Sequence, residues 1–194
     1  MKFIKSYLKT SKKILDNLDI NELNEIIKLI HSVKKRKSRI FFIGVGGSAA
    51  NCSHAVNDFR KLLNIECYTP VDNVSELTAR INDDGWESVF LNWLKISKLN
   101  SGDMIFVLSV GGGNQRKKVS TNISKALFYG KKKGSKIVAI LGRNDGDAFR
   151  LSNNKLVIPI IDKNLITPMS ESFQSLVWHL IVSHPLLVPN KTKW

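Results

Sequence analysis

The feature that most constrains this chain is the stretch 40–59, where a strand-like run, a glycine-rich turn and a helical pattern follow one another. The four apolar residues 40–43 have the length and composition of a buried strand. The small residues that follow allow a sharp turn, and Ser48 is predicted to cap the next helix. Because free N–H groups and the positive end of a helix dipole meet there, we predict an anion site at Gly46, Gly47 and Ser48.

The rest of the chain alternates between strand and helix patterns. Further strands are predicted at 65–68, 104–108, 136–141 and 156–160, and helices at 73–81, 86–96, 120–132 and 165–182. Uninterrupted apolar strands separated by helices predict a parallel sheet covered on both faces, in a three-layer, Rossmann-like α/β sandwich. Two amphipathic helices precede this core in residues 2–35, and Asp19 or Asn21 would cap the second of them.

The length of 194 residues predicts a single domain, with a helical packing or oligomerisation segment at 1–36 and an α/β core at 37–194. No apolar run reaches the length of a membrane span, and the first residues lack the apolar centre of a signal peptide. Cys52 and Cys67 form neither a CxxC pair nor a disulfide framework, so a reduced, cytoplasmic setting is expected.

The formal net charge of +14 raises the possibility of nucleic-acid binding, with basic runs at 31–39 and 131–133. No aromatic residues interleave with these runs, as a base-stacking platform requires. We therefore favour a solvated basic surface over nucleic-acid binding, and such a surface also attracts phosphorylated metabolites.

A second loop rich in glycine and serine, at 109–114, follows the predicted strand at 104–108. Ligands of open parallel sheets bind at the carboxyl ends of the strands, where both glycine loops are expected. Neither loop matches a dinucleotide fingerprint or a P-loop. Together they suit a phosphate that is held by hydroxyls and backbone N–H groups without a nucleotide.

Two pairs of polar residues on predicted helices add possible chemistry. His54 and Asp58 lie four residues apart on one helix face, and Glu171 and His179 lie eight residues apart on the last helix, about 80° around its axis. Considered singly, a helix histidine such as His54 more often has its hydrogen bonds satisfied within the protein than serves as a ligand. A carboxylate such as Asp58 is likewise more often simply exposed to solvent. Taken together, imidazoles and carboxylates are donors that suit a zinc-type site.

These motifs resemble the sugar isomerase (SIS) domain family and, within it, the phosphoheptose isomerase branch, over nearly the whole chain. That branch has a Gly-Asn-Gly-Gly-Ser loop, a histidine six residues after the serine and an acid four residues later, matching Ser48, His54 and Asp58. Its last helix has a glutamine eight residues before a histidine, matching Glu171 and His179. Its Asn-Asp-x-Gly segment corresponds to 82–85, and its serine-rich second phosphate loop to 109–120.

Three residues depart from the pattern of the branch. Val45 stands in place of asparagine, Asp58 in place of glutamate and Glu171 in place of glutamine. The second loop is also longer and richer in glycine. A set of imidazoles and carboxylates is nevertheless kept, so the departures concern the preferred sugar more than the type of chemistry.

The resemblance implies a central five-stranded parallel sheet and a homotetramer with active sites at subunit interfaces. It implies an aldose–ketose isomerase that converts sedoheptulose 7-phosphate to D-glycero-D-manno-heptose 7-phosphate through an enediol. A non-catalytic phosphosugar-binding or regulatory protein on the same scaffold is the alternative.

The resemblance also implies roles for individual residues. Asp58 or Glu171 is the expected base and His179 the expected acid. A divalent metal, zinc, is expected on His54, Asp58, Glu171 and His179. Contacts with the substrate or its phosphate are expected from Gly46, Gly47, Ser48, Asp83, Ser109, Gly111 and Ser120.

Overall fold

The computed structural model describes residues 1–188, which form helices on both faces of one sheet. The elements in chain order are α1 (Lys2–Asp16), α2 (Ile20–Lys35), β1 (Ile40–Ile43), α3 (Gly47–Leu63), β2 (Cys67–Tyr68), α4 (Val74–Asp84), α5 (Val89–Ile96), β3 (Met104–Ser109), α6 (Thr121–Lys133), β4 (Lys136–Leu141), α7 (Asp147–Leu151), β5 (Asn154–Val157) and α8 (Ile166–Ser183). A short 3₁₀ turn, Lys163–Leu165, leads into α8.

The sheet has five parallel strands in the order β2-β1-β3-β4-β5. This confirms the predicted three-layer α/β fold. The chain builds outward to β2 on one side of β1 and to β3, β4 and β5 on the other. The strand order therefore reverses between β1 and β3, and ligands of open α/β sheets bind at such a switch point, beyond the carboxyl ends of the strands.

Alternating side chains of the central strands enter two separate cores. Phe42 and Phe106 stack on one face of the sheet, with ring centroids 4.9 Å apart, and pack against α2, α3 and α8. Phe41 lies on the opposite face, where it meets Trp93 of α5 edge-on at 5.5 Å. Because both faces are covered, every residue of β1 and β3 is buried, as the uninterrupted apolar runs predict.

The two N-terminal helices differ in how they pack. Helix α2 buries its apolar stripe in the first core, and the Asp19 carboxylate caps it by accepting a hydrogen bond from the N–H of Glu22 at 2.9 Å. Helix α1 buries Thr10 and Ile14, whereas several of its apolar side chains are exposed, namely Phe3, Ile4, Leu8 and Leu15. Among residues 1–188, no helix is both long enough and apolar enough to cross a membrane.

Some local predictions are wrong. Helix α3 begins at Gly47 with Gly46 as its N-cap, so Ser48 lies in the first turn and does not cap the helix. Gly46 turns the chain with a φ of 65°, a conformation that glycine adopts without a side-chain clash. Strand β5 is Asn154–Val157 instead of 156–160; it starts earlier, where Asn154 pairs with Val138, and it ends before Pro159, which has no N–H to continue the ladder. Helix α7 was not predicted.

Candidate active site

The ends of β1, β3 and β4 meet closely at the carboxyl edge of the sheet. Gly44 follows β1, and a Cβ atom on it would lie 2.8 Å from the carbonyl oxygen of Leu108 in β3. Gly142 follows β4, and a Cβ atom there would lie 3.0 Å from Cβ of Ser170 in α8. Both glycines thus allow close packing where the two glycine loops and the start of α8 come together, at the switch point.

Helix α3 packs along helix α8, and the two run in the same direction. Near their N-terminal ends, the side-chain amide of Asn51 donates to the carbonyl oxygen of Glu171 at 2.9 Å and to Oε1 of Gln174 at 3.3 Å. Further along, the rings of His54 and Trp178 meet at 4.7 Å between centroids. This alignment turns one stripe of α3 toward α8.

Three predicted metal ligands come together between these helices. The Nε2 atoms of His54 and His179 each lie 3.8 Å from Oδ2 of Asp58, and the three potential ligand atoms are within 4.8 Å of one another. Asp58 is buried; its Oδ1 accepts a hydrogen bond from the Asn57 amide at 2.8 Å, and its Oδ2 has no hydrogen-bond partner. Metal–ligand bonds of about 2 Å would bridge such gaps.

The imidazole of His179 is held in a defined orientation. Its Nδ1 lies 2.8 Å from the carbonyl oxygen of Ser175, which fits an N–H donor at Nδ1 and leaves the Nε2 lone pair on the side of Asp58. The ring also stacks on Trp178, with centroids 3.5 Å apart. Orientation of a histidine through its second nitrogen is typical of metal-binding and proton-transferring imidazoles.

Glu171 lies away from this cluster. Its half-buried carboxyl group rests against the bare Cα of Gly47, where a Cβ atom would come within 2.6 Å of Cδ and 2.7 Å of Oε1. Eight residues advance a helix by about 12 Å, so Glu171 meets the start of α3 while His179 meets its middle. The structure thus brings together three of the four predicted metal ligands and positions Glu171 at the glycine turn.

The second glycine loop follows Ser109 and is tightly folded. The Ser109 hydroxyl accepts a hydrogen bond from the N–H of Gly112 at 2.9 Å, and Gly112 and Gly113 both have positive φ. Ser120, just before α6, also has a left-handed backbone, with a φ of 44°. Gly111 has open space where a Cβ atom would be. These residues follow β3, the strand beside β1, so the second loop and the turn after β1 are neighbours at the carboxyl edge of the sheet.

Asp147, at the start of α7, holds the second loop in place. Its N–H donates to the carbonyl oxygen of Gly113 at 2.7 Å, and its Oδ2 accepts from the N–H of Gln115 and from the Ser124 hydroxyl, each at 2.7 Å. Burial favours a higher pKa for this carboxyl. The hydrogen bonds from Ser124 and Gln115, together with Arg150, outweigh burial and hold the pKa of Asp147 below its usual range.

The positions of Ser48 and Asp83 do not by themselves indicate ligand binding. The Ser48 hydroxyl is buried in the first turn of α3 and has no hydrogen-bond partner. Asp83 is an exposed residue in the last turn of α4, and its carboxylate accepts a hydrogen bond from neighbouring Asn82 at 2.8 Å. Their predicted substrate contacts remain predictions.

Sequence reasoning overlooked Asn51, Trp178 and Gln174. Asn51 has a signal in the sequence, since 47, 51, 54 and 58 recur at the spacing of one helix face. Trp178 and Gln174 read as ordinary core residues of an apolar helix, and both are fully buried. A buried amide nitrogen of Gln174 without a hydrogen-bond partner marks this helix interface as polar.

Comparison with known proteins gives relatives over almost the entire chain, although no protein-family model matches it. The chain is 29% identical over 191 residues to a phosphoheptose isomerase of Sulfurimonas denitrificans, covering 93% of this chain and 92% of the relative. A phosphoheptose isomerase structure from Francisella tularensis superposes with a TM-score of 0.80 at 18% identity, covering 94% of this chain and 95% of that one. The corresponding structure from Neisseria gonorrhoeae gives a TM-score of 0.79 at 18% identity, covering 94% of each chain.

Proposed function

We propose that this chain, an SIS-domain protein of the phosphoheptose isomerase type, interconverts a ketose phosphate and an aldose phosphate, with sedoheptulose 7-phosphate and D-glycero-D-manno-heptose 7-phosphate as the pair. The full-length similarity to phosphoheptose isomerases supports this function. The observation that carries it is the grouping of two glycine loops and the Glu171 carboxylate at the switch point of the sheet, with a His–Asp–His cluster further along the same pair of helices.

The reaction moves one proton between adjacent carbons, and the residues at this edge have the chemistry for it. The second loop, between Ser109 and Ser120, offers a hydroxyl and backbone N–H groups beside the N-terminus of α6, where a phosphate is favoured. A carboxylate on α3 or α8, Asp58 or Glu171, accepts the carbon-bound proton. Fixed N–H dipoles and imidazoles then stabilise the oxyanion of the enediolate.

The donor set of the cluster fits a divalent metal, and we propose zinc. His54, Asp58 and His179 would hold it, because Asp58 Oδ2 is buried without a hydrogen bond between two imidazole nitrogens. When bound, such an ion supplies Lewis acidity that stabilises negative charge on a substrate oxygen. Three protein ligands leave a position open, as in catalytic zinc sites.

We also propose that copies of this chain assemble, as a homotetramer, through the N-terminal helices. The exposed apolar side chains on α1 favour such an interface, since contiguous apolar patches mark interaction sites.

We further propose that the protein works in the reducing cytoplasm. This setting suits its two cysteines, which are free and buried, and burial raises the pKa of the Cys67 thiol to about 12.

The test is to incubate purified protein with sedoheptulose 7-phosphate, with and without zinc, and to follow the aldose phosphate by NMR. Turnover that depends on added or bound metal supports the proposal. If no ketose phosphate is converted, the isomerase function is refuted. Thermal stabilisation by sugar phosphates without any turnover would then indicate the non-catalytic, regulatory alternative.

A further inference from the structure

We infer that Glu171, and not Asp58, is the base that removes the proton from the sugar carbon. This inference rests on the proposed isomerase function and decides between the two carboxylates that line the α3–α8 wall. It follows from the surroundings of each carboxylate, from the charge beside the glycine turn and from the direction in which the substrate must lie.

Asp58 is enclosed. Its side chain is 7% exposed, Oδ1 is occupied by the Asn57 amide, and Oδ2 points between the Nε2 atoms of His54 and His179. A base for this reaction must approach two neighbouring carbons in turn. A buried carboxylate between two imidazoles is suited to hold those rings or a cation, and it offers little surface to a sugar.

Glu171 is open by comparison. It is only half-buried, and in residues 1–188 no group donates a hydrogen bond to its carboxylate. The carboxyl group lies against the Cα of Gly47 at the first turn of α3. The N–H groups of Ala49 and Ala50 bond to the carbonyl oxygen of Gly46, whereas within residues 1–188 those of Gly47 and Ser48 have no hydrogen-bond partner. A free carboxylate lone pair and unpaired N–H donors thus occur together at the carboxyl edge of the sheet.

The charge of Glu171 also orients the substrate. A dianionic phosphate beside Gly47 would be repelled by the Glu171 carboxylate, so the turn after β1 is a poor phosphate site in this protein. The loop between Ser109 and Ser120, at the N-terminus of α6, carries no such carboxylate facing its free N–H groups, because Asp147 is already occupied by three donors. The loops after β1 and β3 are neighbours, because the two strands pair and Gly44 lies against Leu108. A sugar whose phosphate is bound after β3 would therefore have its reacting carbons beside the turn after β1, where Glu171 lies.

The proton transfers balance without any external reagent. Glu171 takes a proton from C1 of the ketose, the C–H electron pair forms the C1–C2 double bond, and the carbonyl pair moves onto O2 as an enediolate. A proton then passes from the hydroxyl on C1 to O2 through solvent water. The O1 pair forms the aldehyde carbonyl, and the double-bond pair takes the proton back from Glu171 at C2. The N–H groups of Gly47 and Ser48, in the first turn of α3, stabilise the transient oxyanion.

The inference is tested with Glu171→Gln, which keeps the size of the side chain but cannot accept the proton. Glu25→Gln, on the exposed surface of α2, is the matched control. Sedoheptulose 7-phosphate turnover, deuterium incorporation from D₂O into the sugar and bound zinc per chain are measured for both variants and for wild type. We expect Glu171→Gln to lose roughly 10²- to 10⁴-fold in kcat, and deuterium exchange with it, while KM and bound zinc match the control.

Three results would overturn the inference while leaving the isomerase function standing. Turnover and exchange equal to those of the control mean that Glu171 is not the base. Loss of zinc together with activity makes Glu171 a metal ligand. A higher KM at unchanged kcat makes it a binding residue. If wild type itself neither converts nor exchanges any ketose phosphate, both the function and this inference fail.

Discussion

Replacing Gly47 with alanine should slow the enzyme without weakening the fold. Gly47 is the first residue of α3 and does not need a left-handed backbone, and alanine in a helix is about 1 kcal/mol more favourable than glycine. The added methyl group would come within 2.6–2.7 Å of the Glu171 carboxyl, whereas ordinary contacts begin at 3.4 Å. The carboxyl must therefore retreat by roughly 1 Å, and a misplacement of that size can cost about 100-fold in rate.

The assay compares kcat by NMR with the melting temperature by circular dichroism. We expect a melting temperature at or above that of wild type and a kcat lower by about 100-fold. The same substitution in the Glu171→Gln background should add little further loss, because the displaced group is already inert. The reasoning is refuted if Gly47→Ala turns over like wild type, or if its loss multiplies with that of Glu171→Gln.

Three further outcomes are expected. His54→Ala should weaken zinc binding by at least about 100-fold, measured by titration against a competing chelator, and unchanged affinity would contradict the metal site. Arg39→Met should lower the free energy of unfolding in urea by about 3 kcal/mol, because it leaves the buried Asp103 carboxylate without its cationic partner. A loss under ~1 kcal/mol would contradict this. The lowered pKa of Asp147 means that its stabilisation is complete above its ordinary pKa of about 3.9 and is lost as the pH falls through the lower folded value. The melting temperature of wild type should therefore drop more steeply below about pH 4 than that of Asp147→Asn, and parallel pH profiles would contradict the role of the carboxylate.

Most of the fold follows from the sequence because its signals are local. Four apolar residues before a glycine turn predict β1, and the two leading helices follow from apolar spacing. Helix α7 has five residues, too few to show a helical period, so its pattern could not be distinguished from a loop. The hydrogen bonds by which Asp147 holds the second loop depend on that helix, so the sequence does not predict them either.

The site was predicted in part. Spacing on one helix gives the direction of a side chain around the axis, which is why His54 and Asp58 could be paired and why His179 was a reasonable partner. Spacing does not give the height at which a neighbouring helix meets that face. Spacing alone therefore groups Glu171 with the histidines, whereas the parallel packing of α3 and α8 sets it beside Gly47.

The cluster between α3 and α8 joins helices that lie far apart in the sequence. An ion held by His54, Asp58 and His179 would act as a reversible cross-link between them. At an ion concentration 100 times the dissociation constant, such binding adds about 2.7 kcal/mol to the free energy of unfolding. The thermal stability of this protein would then rise and fall with the supply of metal, and a chelator would lower the melting temperature of the metal-bound form.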